Sequence, residues 1–543
     1  MCAFRKSNIV LINFHFCKVQ FSNSFFKKSF SWQILLLLGV LVCVWLVGYR
    51  GISVYCEDQE NSRHWVQLVF TRITVIGAIF TFLMIVFRKR NQLQITTYGN
   101  ALNLSFFRLL YFGFFAVGAV FFLPKLWMQT MAYVDIPASA RTDVLFMNWL
   151  PLVAPHASWL VSVAVVLFFI AIICSFIGFK TKWAILLFVV CGFYLFGIPN
   201  FYGKINHNHH ILWFAAVLAF SPCGDRLSVD AWLGRRRGLE MKTRSSSIYQ
   251  IPFILIWCLM GIVYFFPGFW KLWTSGLDWA LTANMRNQMY YKWMQLDGWI
   301  PWFRLDYYPF LYRSIGLFVL VFEVFFIGLV VHHKTRILAI LGGLIFHFGS
   351  WLFMDIFFVV LVLAYATFVP WDRIFFKQKE VERAPLLLKD LKVSHASNTM
   401  LLWVGVILIG GNTLFGIAHW NSWPFTVYPM FETTLATTTE NLVYRGILEN
   451  GTSVPLSKSP LITHFSSERF WAMEEKIKSA HKTSSLSNEQ DLLGHLCILL
   501  RDSNTNIKSV IIELEQRSLD TVQVKEVTEY IFVKEIRLDS LIK

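Results

Sequence analysis

The apolar residues of this chain fall into blocks of about 20, separated by short basic loops, and that spacing leaves few folds open. At ~1.5 Å rise per residue, a helix of such length spans the hydrocarbon of a bilayer. Every backbone donor and acceptor must be satisfied within a segment there, and the blocks lack the strict alternation of barrel strands, so helices are the economical solution. One very large soluble core is a poor alternative: the chain is 56% hydrophobic and only 15% charged, against roughly a quarter charged in soluble domains.

Eleven candidate spans are predicted, at about 32–49, 66–87, 104–123, 157–177, 182–199, 208–222, 250–268, 312–332, 335–350, 354–370 and 399–417. The first, preceded by Lys27 and Lys28, is read as a retained span rather than a cleaved signal peptide, because no small-residue cleavage site is evident. After Trp420 the hydropathy falls. Alternation at 442–448, 495–500, 509–514 and 529–536 predicts strands, 470–480 a helix and 482–488 a polar loop. The predicted fold class is thus an all-α polytopic membrane protein of about eleven transmembrane helices with a small C-terminal α+β soluble domain.

The net charge of +16 is a topology signal here rather than a sign of nucleic acid, since the cations sit mostly in loops between apolar blocks. With eleven spans, the loops holding Arg88 to Arg90, Lys180 and Lys182, Arg226 with Arg235 to Arg237, Lys334 and Arg336, and residues 373–392 all share one side. The positive-inside rule makes that side cytoplasmic, with the N-terminus inside and the C-terminal domain outside, as in a plasma or bacterial inner membrane. Nine cysteines are scattered without CxxC or zinc spacing, so no metal centre is expected from them.

Chemistry is sought where polar groups meet the membrane. The densest cluster is Lys204, Asn206, His207, Asn208, His209 and His210, at the external mouth of the sixth span. Three readings compete: a metal site, although positions 207, 209 and 210 do not share one helical face; a partly desolvated Lys204 acting as a base; and a solvated loop with snorkelling side chains. Arg72, Arg108, Glu323 and Asp355 fall within predicted spans and His347 lies between two apolar runs; each is either functional or a structural tie between helices. Lys271 sits in an aromatic-rich stretch at an external interface, where amphipathic anchoring is the bland expectation. Walker, GxSxG, HExxH and dinucleotide fingerprints are missing from the sequence, which removes the usual warrants for ATPase, α/β-hydrolase, zincin or Rossmann chemistry.

The run Lys204, Asn208-His209, Ala219-Phe220 and Ser228-Val229-Asp230 resembles the signature of the vitamin K-dependent γ-carboxylase superfamily, whose bacterial members are called horizontally transferred transmembrane domain (HTTM) proteins. Phe107-Arg108, then Val263-Tyr264-Phe265 with Gly268 and Lys271-Leu272, then Phe346-His347 agree in order, and the resemblance covers about residues 104–375. It implies a base position at Lys204; in the eukaryotic carboxylases a lumenal lysine deprotonates vitamin K hydroquinone before oxygen converts it to an epoxide and a glutamate is carboxylated. The soluble tail is far shorter than theirs.

The organisation expected is a cytoplasmic N-terminus at 1–31, two additional helices at 32–97, a γ-carboxylase-like membrane core at 98–375, a basic loop and last span at 376–420, and the external domain at 421–543. The leading functional expectation is a membrane-embedded enzyme acting on a lipid-soluble quinol or related molecule. In it Lys204 and His209 carry the chemistry, while Asn208, Lys271, Glu323 and His347 bind the reactant. The alternative is a non-catalytic membrane scaffold whose external domain binds a protein or peptide partner. A transporter lacks support, since no inverted repeat is evident.

Overall fold

The computed structural model describes residues 30–55, 60–89, 94–95, 97–203, 209–238, 246–296, 299–331, 334–376, 386–387, 396–428, 431–436, 438–502, 506–518 and 527–538. In chain order its main helices are α1 (Phe30–Tyr55), α2 (Glu60–Lys89), α3 (Ala101–Met131), α4 (Ser158–Ile177), α5 (Thr181–Gly197), α6 (His209–Ala219) and α7 (Val229–Arg236). After them come α8 (Ser246–Ser275), α9 (Asp278–Leu281), α10 (Asn284–Gln295), α11 (Pro309–Val331), α12 (Arg336–Met354), α13 (Val359–Ala364) and α14 (Ala396–Ile417). Nine of these, α1 to α5, α8, α11, α12 and α14, are long and apolar enough to cross a bilayer, among the described residues. Their outer faces carry large apolar side chains, with Val117 and Phe121 on α3 more than four-fifths exposed. Such faces suit a lipid bilayer.

Two of the eleven predicted spans are short. α6 is an 11-residue helix, buried over almost its whole surface. The block expected at 354–370 is interrupted at its start: Asp355 adopts left-handed φ 51°, closing α12, and Ile356 to Phe358 form no helix before α13 begins. Asp355 is exposed at this break rather than embedded in a span.

Polar ties define the two ends of the bundle. At one end the Arg108 guanidinium donates to the carbonyls of Ser175 and Leu227, and Asp230 accepts from the backbone N–H groups of Lys180 and Thr181, each at 2.8 Å. Gly178 turns there at φ +70°, and a Cβ would lie 2.1 Å from Arg108 Nη1, so only glycine fits. Asn103 donates to Asp372 at 3.0 Å and Tyr249 to Asp225 at 2.8 Å, joining α3 and α8 to the same end. Arg108 is therefore a structural tie. Arg72 is another, donating to the Trp273 carbonyl at 3.0 Å with its guanidinium 5.0 Å from the Trp273 ring. Through this contact, and through Trp45 buried beside Leu272, Leu277 and Trp279, α1 and α2 pack into the core at the opposite end.

The C-terminal unit stands at that opposite end. Its strands β1 (Thr438–Leu448), β2 (Ser453–Leu456), β3 (Ile507–Ser518) and β4 (Val527–Arg537) form an antiparallel sheet ordered β2-β1-β3-β4. Helices α15 (Ser467–Lys482) and α16 (Gln490–Asp502) accompany it, and Leu493, Leu496, Val510 and Ile512 share one buried cluster. The strand expected at 495–500 is helix α16. Its buried residues Leu492, Leu493, Leu496, Cys497 and Leu500 repeat at helical intervals, and the six-residue alternation was a fragment of that longer period. The unit is docked rather than tethered loosely: Lys476 donates to the Ala140 carbonyl at 3.0 Å, Tyr291 to Glu475 at 3.1 Å, and Arg469 lies over Tyr133.

Candidate active site

Three helix faces converge below the docked unit. On α8, Tyr264, Pro267 and Lys271 recur at i, i+3 and i+7; on α11, Val319 and Glu323 stand one turn apart; on α12, His347, Ser350 and Met354 repeat the i, i+3, i+7 spacing. Together they enclose a cavity of about 100 Å³, walled otherwise by apolar and aromatic side chains such as Val263, Phe346, Phe358 and Leu361. Pro267 has no N–H, so the Val263 carbonyl on this wall receives no helical bond from it.

Two polar systems meet the cavity. Lys271 Nζ donates to Glu323 Oε1 at 2.7 Å and Oε2 at 2.8 Å, and lies 4.7 Å from the centre of the Trp279 ring. Both side chains are 4% exposed. The close crossing of α8 and α11 that allows this depends on Gly268, where a Cβ would stand 2.7 Å from Glu323 Cβ. The second system is a chain: Tyr264 Oη lies 2.6 Å from His347 Nε2 and 3.1 Å from Tyr365 Oη. His347 is 1% exposed, and its Nδ1 has no hydrogen-bond partner among the described residues.

The roof is the segment leading from α14 to the C-terminal unit. Its Tyr428 and Phe431 line the cavity. The backbone of this strap is held by side chains of α9 and α10: Trp279 donates to the Phe431 carbonyl at 2.6 Å, Gln288 to the Thr433 carbonyl at 2.9 Å, and Asn287 to the Leu435 carbonyl at 3.0 Å. Tyr428 also connects the cavity to α6, since its hydroxyl is 3.1 Å from His210 Nδ1.

The residues singled out in the sequence thus divide. Lys271, Glu323 and His347 come together on one cavity. Lys271 is no surface anchor; it is buried and ion-paired. His209 lies one layer out, with Nε2 2.8 Å from the Ser422 carbonyl and its ring 4.6 Å from Trp423 and 5.6 Å from Tyr428. Lys204, Asn206, His207 and Asn208 lie outside the described residues. Gly203, the last described residue before them, abuts Ala472 of α15. Sequence reasoning gave no role to Tyr365, Tyr428 or Gln288; the seven-residue spacing of Tyr264 and Lys271 on α8 was the signal that both face the same way. No group of three or more His, Cys, Asp or Glu among the described residues is arranged to hold a metal ion. A larger cleft of about 720 Å³ between the end of α3 and the C-terminal unit, lined by Trp127, Asp135 and His464 among others, is more open to the surface. Set against known protein families, curated proteins and solved structures, the chain matches none of them.

Proposed function

We propose that this chain is a multi-pass membrane enzyme of the γ-carboxylase-like superfamily, which binds the ring of a lipid-soluble quinol in the cavity between α8, α11 and α12. The observation that carries this reading is the convergence of a buried ion pair, Lys271 with Glu323, and a buried hydrogen-bonded chain, His347 with Tyr264 and Tyr365, on one small apolar cavity. Ionisable groups at membrane depth are costly to keep and mark functional sites, and an apolar pocket with a few convergent polar groups is the usual form of a small-molecule site. The walls suit a flat aromatic molecule: Trp279, Phe346 and Phe358 line the cavity, and its volume is of the order that holds a small ring system rather than a peptide. A bilayer concentrates such a reactant beside the site.

In this reading eleven passes connect the two ends of the bundle, nine by the long helices and two by the shorter α6 and α13. The basic end is cytoplasmic and the C-terminal unit external. A quinol, when bound, supplies ionisable hydroxyls and a ring that oxygen can oxidise. Lys204 takes the proton of a quinol hydroxyl with Asn208 assisting; His209 holds Ser422, its Nε2 2.8 Å from that carbonyl; Lys271 and Glu323 keep a fixed field at the cavity wall. The test is oxygen-dependent oxidation of 1,4-naphthoquinol by the full-length protein in lipid nanodiscs. Wild-type protein turns over and Lys204→Arg, whose guanidinium cannot accept a proton, does not, while both keep the same melting temperature. Equal rates in the two proteins, or none in wild type, would leave the scaffold reading in its place.

A further inference from the structure

We infer that His347 is the specificity residue of the cavity, presenting its Nδ1–H as a hydrogen-bond donor to an oxygen acceptor on the bound ring. The inference rests on the cavity holding a ring, as proposed above, and adds which atom of the ring is recognised and by what.

The direction of the buried chain carries it. Tyr264 Oη and His347 Nε2 are separated by 2.6 Å, short for an N–H donating to oxygen, whose usual length is ~2.9–3.0 Å, and suited to a hydroxyl donating to nitrogen. In this assignment Tyr264 gives its hydrogen to Nε2 and accepts one from Tyr365 at 3.1 Å, a contact in which either hydroxyl can donate. An imidazole that accepts at Nε2 carries its own hydrogen on Nδ1. That nitrogen has no partner among the described residues, on a side chain that is 1% exposed and lines the cavity. A buried donor left unmet is costly, so a ring bearing a carbonyl or hydroxyl oxygen is favoured over the same ring without one. The apolar walls hold both rings alike. Lys271 has two of its three N–H donors on Glu323 and stays in place in every His347 variant, so a preference supplied by Lys271 would survive in all of them.

Two substitutions separate this role from a structural one, since an asparagine amide nitrogen falls near the place of Nδ1 and a glutamine amide near that of Nε2. His347→Asn keeps a donor toward the cavity and gives up Tyr264; His347→Gln keeps Tyr264 and gives up the donor. Binding of 1,4-naphthoquinone and of naphthalene, the same ring without oxygen, is measured on full-length protein in detergent by isothermal titration. The expected result is a preference for the quinone of about tenfold in wild type, the fold-change of one net hydrogen bond, retained in His347→Asn and lost in His347→Gln and His347→Phe. Naphthalene binds all four proteins, which shows that the cavity is intact in each. The donor role is overturned by preference retained in His347→Gln and lost in His347→Asn, or by equal binding of the two rings to wild type. Failure of wild type to bind either ring would overturn the cavity reading together with this inference.

Discussion

Lys271 and Glu323, 52 positions apart, meet inside the bundle with Nζ 2.7 Å and 2.8 Å from the two carboxylate oxygens, and neither side chain is more than 4% exposed. Each is tolerable in that position only because the other neutralises it.

Removing one partner should therefore cost more than removing both. Lys271→Met or Glu323→Leu alone leaves an uncompensated buried charge, a loss of ~3–5 kcal/mol for pairs of this kind, whereas the double variant should recover most of the wild-type stability while altering ligand binding. Thermal unfolding in detergent checks this. Single and double variants of equal stability would mean that the pair is solvated and weak.

Gly343 should be irreplaceable where its neighbour on the same helix is not. A Cβ at Gly343 would stand 1.7 Å from the Tyr365 hydroxyl, so Gly343→Ala pushes Tyr365 away from Tyr264 and costs ~1–3 kcal/mol by overpacking. Gly349 has nothing within 4 Å of the same position, and Gly349→Ala should be neutral or gain ~0.5–1 kcal/mol from helix propensity. Melting temperatures of the two variants should move in opposite directions or differ by several degrees.

Acid should loosen the C-terminal unit through His464 and His495. Burial holds both below the ordinary histidine value of 6.5, against a small opposing pull from Asp135, and His464 lowers His495 further. Their folded forms are neutral, so the stability they contribute is present above 6.5 and is lost as pH falls toward their folded values. Glu474, raised by burial against the opposing pull of Lys458, runs the other way and favours the fold as pH falls. The comparison is therefore between proteins that share Glu474: the fall in proteolytic resistance of the unit from pH 7.5 to 5.5 should be smaller in His464→Gln/His495→Gln than in wild type. Identical falls would remove both histidines from the account.

How much of this was legible beforehand depends on whether a feature is periodic. Long apolar helices repeat a local signal, and Glu323 and His347 stood out as ionisable or polar residues among apolar runs. The pairing of Lys271 was not legible, because it depends on how α8 and α11 cross, and the aromatic residues around it suggested an interface instead. Tyr365 and Tyr428 were silent for the same reason: their partners lie 101 and 218 residues away in the chain. Helix α16 was misread because too short a window was compared with the period of a strand.

Orientation is open to direct labelling. Lys482, 61% exposed on α15, and Arg236, exposed at the end of α7, occupy opposite ends of the bundle. In a background with the nine native cysteines replaced, Lys482→Cys should react with an impermeant maleimide in intact cells and Arg236→Cys only after lysis. The reverse pattern would invert the proposed topology.

The central claim is that an oxygen-bearing lipid-soluble ring occupies the cavity walled by Tyr264, Lys271, Glu323 and His347. Its most direct test is small-molecule mass spectrometry of the full-length protein purified in mild detergent, with His347→Phe as the control. The account predicts a quinone or quinol that copurifies in stoichiometric amount with wild type and is depleted in the variant, while bulk phospholipid is the same in both. Identical small-molecule profiles, with no ring compound enriched in wild type, would contradict it.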